Sequence, residues 1–232
     1  LFHVHNVPDF LVFMTLPQRL LGARVILDIH DILPEFYAQK FAVSPHSLLI
    51  RLLRGVEFLS VRYASYVIVA NDLWRDKIVE RCGLSADRCC ALLNYPKATF
   101  FDGLTYEVNN ERLNLIYPGH LSHHHGVDIA VRAMARVVDD VPYAHLAIYP
   151  SSWEAEFREH LESLVSELGL TDAVTFKQAV RVDQLATIYR DVDIGIVPKR
   201  GGVFASEAFS TKLLDFMAAG IPIVASKTTV DE

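Results

Sequence analysis

The sequence predicts an α/β protein of two Rossmann-like domains facing a cleft, with the first domain incomplete. Three observations carry that expectation. Short β-branched or aromatic runs alternate with helical patterns along the chain, glycine and proline punctuate the junctions, and the stretch from Phe101 to Arg112 interrupts the alternation. A parallel strand pair needs a crossover of about a dozen residues or more, so strands separated by helices pair in parallel. The boundary is expected near residue 110, giving domains over 1–110 and 111–232.

In the first domain, Phe2 to Val4 and Val25 to Ile29 read as strands, joined by a helical pattern from Phe10 to Leu21 that ends at Gly22. A long apolar-periodic stretch from Ser47 to Tyr63 follows. Next come a strand from Tyr66 to Ala70, a helix from Leu73 to Arg81 capped by Asn71 or Asp72, and a strand from Cys89 to Leu93. In the second domain five strands are expected, at Leu113 to Tyr117, His145 to Tyr149, Val174 to Phe176, Ile194 to Val197 and Ile221 to Ala225. Helices over Val127 to Val138, Trp153 to Leu168, Val182 to Arg190 and Thr211 to Ala219 separate them, which makes a doubly wound sheet.

Composition narrows the function classes. At 232 residues and 51% hydrophobic, the chain can bury one large core or two modest ones. A formal net charge of −6 without a dense basic stripe argues against nucleic acid as a partner. Cys82, Cys89 and Cys90 lack the spacing of a zinc site, and their odd number argues against a disulfide framework, so a reducing, cytoplasmic compartment is expected. No apolar run is long enough to span a bilayer. The chain opens without Met on a strand-like run and closes shortly after another, which reads as a fragment.

The densest chemical signal is Glu207-Ala-Phe-Ser-Thr-Lys212-Leu-Leu-Asp215, with Gly201-Gly202 before it and Ala219-Gly220-Ile221-Pro222 after it. Behind it lies the apolar strand ending at Pro198, followed by the cations Lys199 and Arg200. In open α/β sheets, ligands bind beyond the carboxyl ends of strands. Backbone N–H groups at a helix start and a lysine suit phosphate, while the carboxylates of Glu207 and Asp215 suit hydroxyl groups. A nucleotide-sugar combines those parts. The loop from Gly119 through His120, His123, His124 and His125 to Gly126 lacks the Gly-x-Gly-x-x-Gly fingerprint, so a nicotinamide-dependent oxidoreductase loses its main support.

This segment resembles the donor-site signature of the retaining glycosyltransferases of family 4 in the GT-B fold, whose members carry two acidic residues separated by seven others. Glu207 and Asp215 reproduce that spacing, with Asp in the second place shortening the side chain by one methylene. The 119–128 loop, the Val174-Thr175-Phe176 and Asp193–Pro198 strands and Leu27-Asp28-Ile29-His30-Asp31 follow in the same order. The resemblance implies a hexosyltransferase using a nucleoside diphosphate sugar as donor, with no cofactor and no catalytic metal, acting in polysaccharide, glycolipid or glycoconjugate synthesis. It implies catalytic roles for His30, Glu207 and Lys212, and donor binding by Gly119, His120, His125, Gly126, Lys199, Arg200, Glu207, Lys212 and Asp215.

Other readings stand beside it. A sugar-nucleotide epimerase of similar architecture, or a noncatalytic nucleotide-sugar binding module, would use the same loops. His3 and His5 share a strand face with Asp9 nearby, but two imidazoles without a defined third ligand are weak grounds for a metal. The acceptor is a saccharide, a lipid-linked group or a small molecule. The hydrophobic and basic stretch with Arg51, Arg54 and Arg62 allows peripheral contact with the inner face of a membrane without requiring it.

Overall fold

The computed structural model describes residues 1–101, 103 and 112–231. Two parallel sheets organise them. The first has the order β1-β2-β3-β4, with β1 at Phe2–His5, β2 at Val25–Ile29, β3 at Tyr66–Val69 and β4 at Cys89–Ala91. The second is β7-β6-β5-β8-β9, with β5 at Leu113–Leu121, β6 at Ala144–Trp153, β7 at Val174–Phe176, β8 at Ile194–Val197 and β9 at Ile223–Ala225. All pairings are parallel.

The chain divides into two compact units. One comprises Leu1–Asn94, Gly202–Phe209 and Thr228–Glu232; the other comprises Tyr95–Gly201 and Ser210–Lys227. The boundary expected near residue 110 lies outside the described residues.

In the first unit, α1 (Leu16–Leu20), α2 (Leu33–Lys40), α3 (Leu48–Tyr63) and α4 (Asp72–Cys82) connect the strands. The helix expected from Phe10 to Leu21 is instead a 3-10 segment over Asp9–Thr15 followed by α1. Pro17 explains the break: it has no N–H for an i−4 bond but is tolerated in a first turn, so it sits at the start of a new helix. Ser47 caps α3 by accepting from Ile50 N. Of the two candidate caps for α4, Asn71 takes the role, its Oδ1 accepting from Trp74 N at 2.8 Å. The core gathers Val25, Leu27 and Ile29 of β2 with Val67, Val69, Trp74, Ile78 and Phe204.

Between the strands of the second unit lie α5 (Val127–Asp140), α6 (Ala155–Glu167) and α7 (Val182–Ile188), and α9 (Thr211–Ala219) precedes β9; the short α8 (Val203–Glu207) belongs to the first unit. Helix α5 buries Val127, Ala130, Val131 and Met134, the i, i+3, i+4, i+7 stripe of a helix packed on a sheet. Each large apolar side chain so buried stabilises by roughly 1.5–3 kcal/mol relative to exposure. β6 runs through Trp153, where a helix was expected to begin, because its outer residues continue to pair with β5 up to the Leu121–Trp153 register. β5 is likewise longer than expected and carries a register irregularity between Gly119 and Leu121.

Candidate functional site

In the second unit, the end of β5 and the start of α9 converge on one cavity of about 280 Å³. Gly119, His120, His125, Tyr149, Lys212 and Asp215 contribute to its wall. Gly119 has φ +150°, and a Cβ added there would lie 2.5 Å from Lys212 Cε. The missing side chain is therefore what lets the lysine lie against the β5 backbone. Beneath it, Lys212 Nζ sits 5.4 Å from the Tyr117 ring centroid, a cation–π placement. Tyr117 is buried and donates its hydroxyl proton to the His120 carbonyl at 2.8 Å, which fixes the floor of the site.

The histidine loop turns at Gly126, φ +67°, where a Cβ would overlap the Pro198 carbonyl oxygen. Only glycine permits both the left-handed turn and this close approach to the end of β8. His120 Nδ1 pairs with Ser152 Oγ at 2.7 Å, and its ring meets His125 edge to face at 5.6 Å. Burial, reinforced by the Lys212 charge, lowers the His125 pKa to about 3, so this imidazole is neutral at physiological pH. A neutral ring still carries one N–H to offer an anion. Burial raises the Asp215 carboxyl above its ordinary value, an effect that Lys212 partly offsets from one helical turn away on α9.

Lys199 lies half-buried just beyond β8, and its charge also helps to lower His125. Arg200 is placed differently. Its Nε donates to the His123 carbonyl at 3.0 Å, its backbone N to the His124 carbonyl at 3.2 Å, and its guanidinium forms an ion pair with the buried carboxylate of Asp128. Arg200 thus ties the histidine loop to the end of β8 and to α5. A second cavity of this unit, about 320 Å³, is lined by side chains such as Leu115, Met134, Ile194, Ile196 and Val224 and suits no anion.

Glu207 is in the first unit, at the end of α8, a short helix that the strand and helix pattern of the sequence does not include. Phe204 anchors that helix, packing 5.2 Å from Phe36 and 5.7 Å from Trp74 between ring centroids. Asn71 Nδ2 donates to the Glu207 carbonyl at 2.9 Å, and the Glu207 carboxylate forms an ion pair with Lys77 of α4. Neither partner was singled out from the sequence as a site residue. The signal that could have found them is Asn71-Asp72 directly after β3, at a strand carboxyl end, with Lys77 one and a half turns into the helix that follows.

His30 follows β2. Its backbone N–H donates to Asn6 Oδ1, and its Nε2 lies 2.8 Å from His5 Nδ1 and 3.7 Å from Asp28 Oδ2. The structure supplies a third side chain to His3 and His5, and it is Asp28 rather than Asp9, which is buried and bound to Asn6.

A family described as "Glycosyl transferases group 1" matches residues 112–232, which hold the whole glycine and histidine loop together with Lys212 and Asp215. The chain belongs to the group 1 glycosyl transferases. Among curated relatives of this group 1 chain, an uncharacterized glycosyltransferase of Methanocaldococcus jannaschii is 24% identical over 187 residues, covering 76% of this chain and 46% of the relative. A D-inositol 3-phosphate glycosyltransferase of Acidothermus cellulolyticus is 34% identical over 119 residues, covering 49% of this chain and 25% of the relative. The chain therefore spans less than half the length of these relatives. Anabaena HepE, solved in complex with UDP-glucose, superposes with a TM-score of 0.65 at 18% identity, covering 97% of this chain and 60% of that one. At that identity the likeness concerns the fold: two Rossmann-like sheets, as in GT-B enzymes.

Proposed function

We propose that the protein transfers a hexose-type sugar from a nucleoside diphosphate sugar to an acceptor hydroxyl, with retention at the anomeric carbon. The observation that carries the proposal is the placement of Lys212 against the Gly119 backbone, in one cavity with His125 and Asp215. That set matches a diphosphate and a ribose: a cation and a neutral N–H donor for the phosphates, a carboxylate for the sugar hydroxyls. The likeness to HepE, which was solved with UDP-glucose, supports a donor of that class.

In the proposed reaction the bond from the anomeric carbon to the diphosphate breaks, with its electron pair leaving on the phosphate oxygen. The acceptor oxygen bonds to the same face of the carbon and passes its proton to the departing phosphate. Lys212 stabilises charge where it appears in the transition state, and Lys199 adds to the same positive field. Glu207, held by Lys77, orients the donor sugar. Asp215 binds ribose hydroxyls, and His30 meets the reacting sugar or the acceptor. Arg200 serves by holding the histidine loop in place rather than by meeting phosphate itself.

The acceptor is a saccharide, a lipid-linked group or a small molecule. For a lipid-linked acceptor, the exposed Leu48, Leu52 and Leu59 of α3, interleaved with exposed Arg51 and Arg54, suit peripheral contact with an anionic membrane surface. Among the described residues no helix is long and apolar enough to cross a membrane. The test is the anomeric configuration of the product made by the intact enzyme from UDP-glucose and an acceptor. Retention is expected, and an inverted product, or an epimerised donor formed without acceptor, refutes the reading.

A further inference from the structure

At the carboxyl end of the first sheet, β1 and β2 pair with His5 opposite Asp28, and this register gathers four polar side chains. His3 Nε2 lies 3.0 Å and His5 Nδ1 3.2 Å from the same oxygen, Asp28 Oδ2. His30 Nε2 stands on the other side of the His5–Asp28 edge, 2.8 Å from His5 Nδ1 and 3.7 Å from Asp28 Oδ2. The rings of His3 and His5 stack at 4.6 Å, those of His5 and His30 at 5.1 Å.

Hydrogen bonds account for part of this group. A neutral imidazole nitrogen either donates one proton or accepts one. His3 Nε2 can donate to Asp28 Oδ2 and one proton can link His5 Nδ1 to His30 Nε2, which leaves the 3.2 Å approach of His5 Nδ1 to Asp28 Oδ2 without a proton of its own. A cation takes the lone pairs of His3 Nε2, His5 Nδ1 and Asp28 Oδ2 together. A tetrahedral zinc with bonds of about 2.0–2.1 Å separates neighbouring donor atoms by about 3.3 Å; each imidazole nitrogen lies 3.0 or 3.2 Å from Asp28 Oδ2, and all three donor atoms lie within 4.8 Å of one another.

We propose that His3 Nε2, His5 Nδ1 and Asp28 Oδ2 form a binding site for a divalent metal of the zinc class. Imidazole with one carboxylate is a donor set for zinc, cobalt or nickel rather than for magnesium or calcium. The carboxylate is 13% exposed while the His3 and His5 side chains are 45% and 58% exposed, so the anchoring anion is sheltered and the imidazoles open to solvent. Asn6 supports the site from behind, accepting from His30 N while its amide donates to Asp9 Oδ1 and the Asp31 carbonyl, each at 2.8 Å. The inference departs from the metal-free reading of the sequence. It stands independently of the donor-sugar assignment, because metal affinity is read with no nucleotide present.

The test is calorimetric titration of the chelator-treated full chain with zinc, and of the same preparation with cobalt followed by visible absorption. One equivalent is expected to bind, with the intense absorption of low-coordinate cobalt. His5→Ala and Asp28→Asn are expected to weaken binding by about 10-fold or more, since loss even of an outer partner costs that much. A His123→Ala/His124→Ala double variant controls for the other histidine cluster and is expected to retain wild-type affinity. If either strand variant misfolds by circular dichroism, His3→Gln, which alters an exposed ring, takes its place with the same expectation. No stoichiometric binding by the wild type, unchanged affinity in the folded strand variants, or loss of binding in the His123/His124 variant overturns the proposal.

Discussion

Lys77 in the first unit and Lys212 in the second both project from helices that follow parallel strands, yet their surroundings differ. Lys77 meets a carboxylate, Glu207, across the α4–α8 contact. Lys212 lies over an aromatic face, against a glycine backbone and near an imidazole kept neutral by burial. The first arrangement uses its cation to orient an acidic side chain. The second concentrates positive potential on a cavity of ligand dimensions, beside the open backbone of a glycine. One lysine thus holds an acid in the first unit, and for the other we propose the role of receiving an anion in the second; the residues facing each lysine make the difference.

The comparison breaks most severely at Gly126. Gly126→Ala forces a Cβ into the Pro198 carbonyl at a left-handed φ, so a loss of about 2–4 kcal/mol is expected from strain and overlap together. Denaturant unfolding measures it, and near-native stability would mean that the histidine loop is not pinned to β8. A smaller effect is expected from Lys77→Met. Leaving Glu207 without its cation should cost about 1–2 kcal/mol of stability and lower both the turnover and the UDP-glucose affinity of the intact enzyme. Unchanged turnover and affinity in the folded variant would mean that the Lys77 contact does not position Glu207 for the donor sugar.

The smallest effect sharpens the electrostatic contrast. The folded pKa of His125 lies near 3, below the ordinary value of about 6.5, so between these values the unfolded chain binds more protons. The stability associated with the neutral ring is fully present above pH 6.5 and is lost as the pH falls toward 3. His125→Gln, which keeps a neutral polar group, is expected to make the acid-side loss of stability less steep. An unaltered pH profile by thermal denaturation would place the ring in solvent.

Much of this was legible in the residues. The period of the apolar positions located both sheets and the longer helices but not α2 or α8, and glycines at 119 and 126 marked the loop whose backbone the lysine and β8 approach. Lys212 and Asp215 share a helix face by spacing alone. What spacing does not carry is pairing across elements. That Arg200 bonds the histidine loop, that Glu207 meets Lys77, and that Asp28 joins His3 and His5 depend on strand register and on where α8 packs, both set by long-range burial such as that of Phe204 beside Trp74. Pro17 was visible, but its result, a 3-10 segment followed by a new helix, followed from competition between apolar burial and the missing N–H.

The most direct test of the donor site is calorimetric binding of UDP-glucose to the wild-type protein and to Lys212→Ala under identical salt and pH. Loss of the charge-assisted contact is expected to weaken binding by about 1–3 kcal/mol, with folding unchanged by circular dichroism. Equal affinity in the two proteins would remove Lys212 from the donor site and contradict the account.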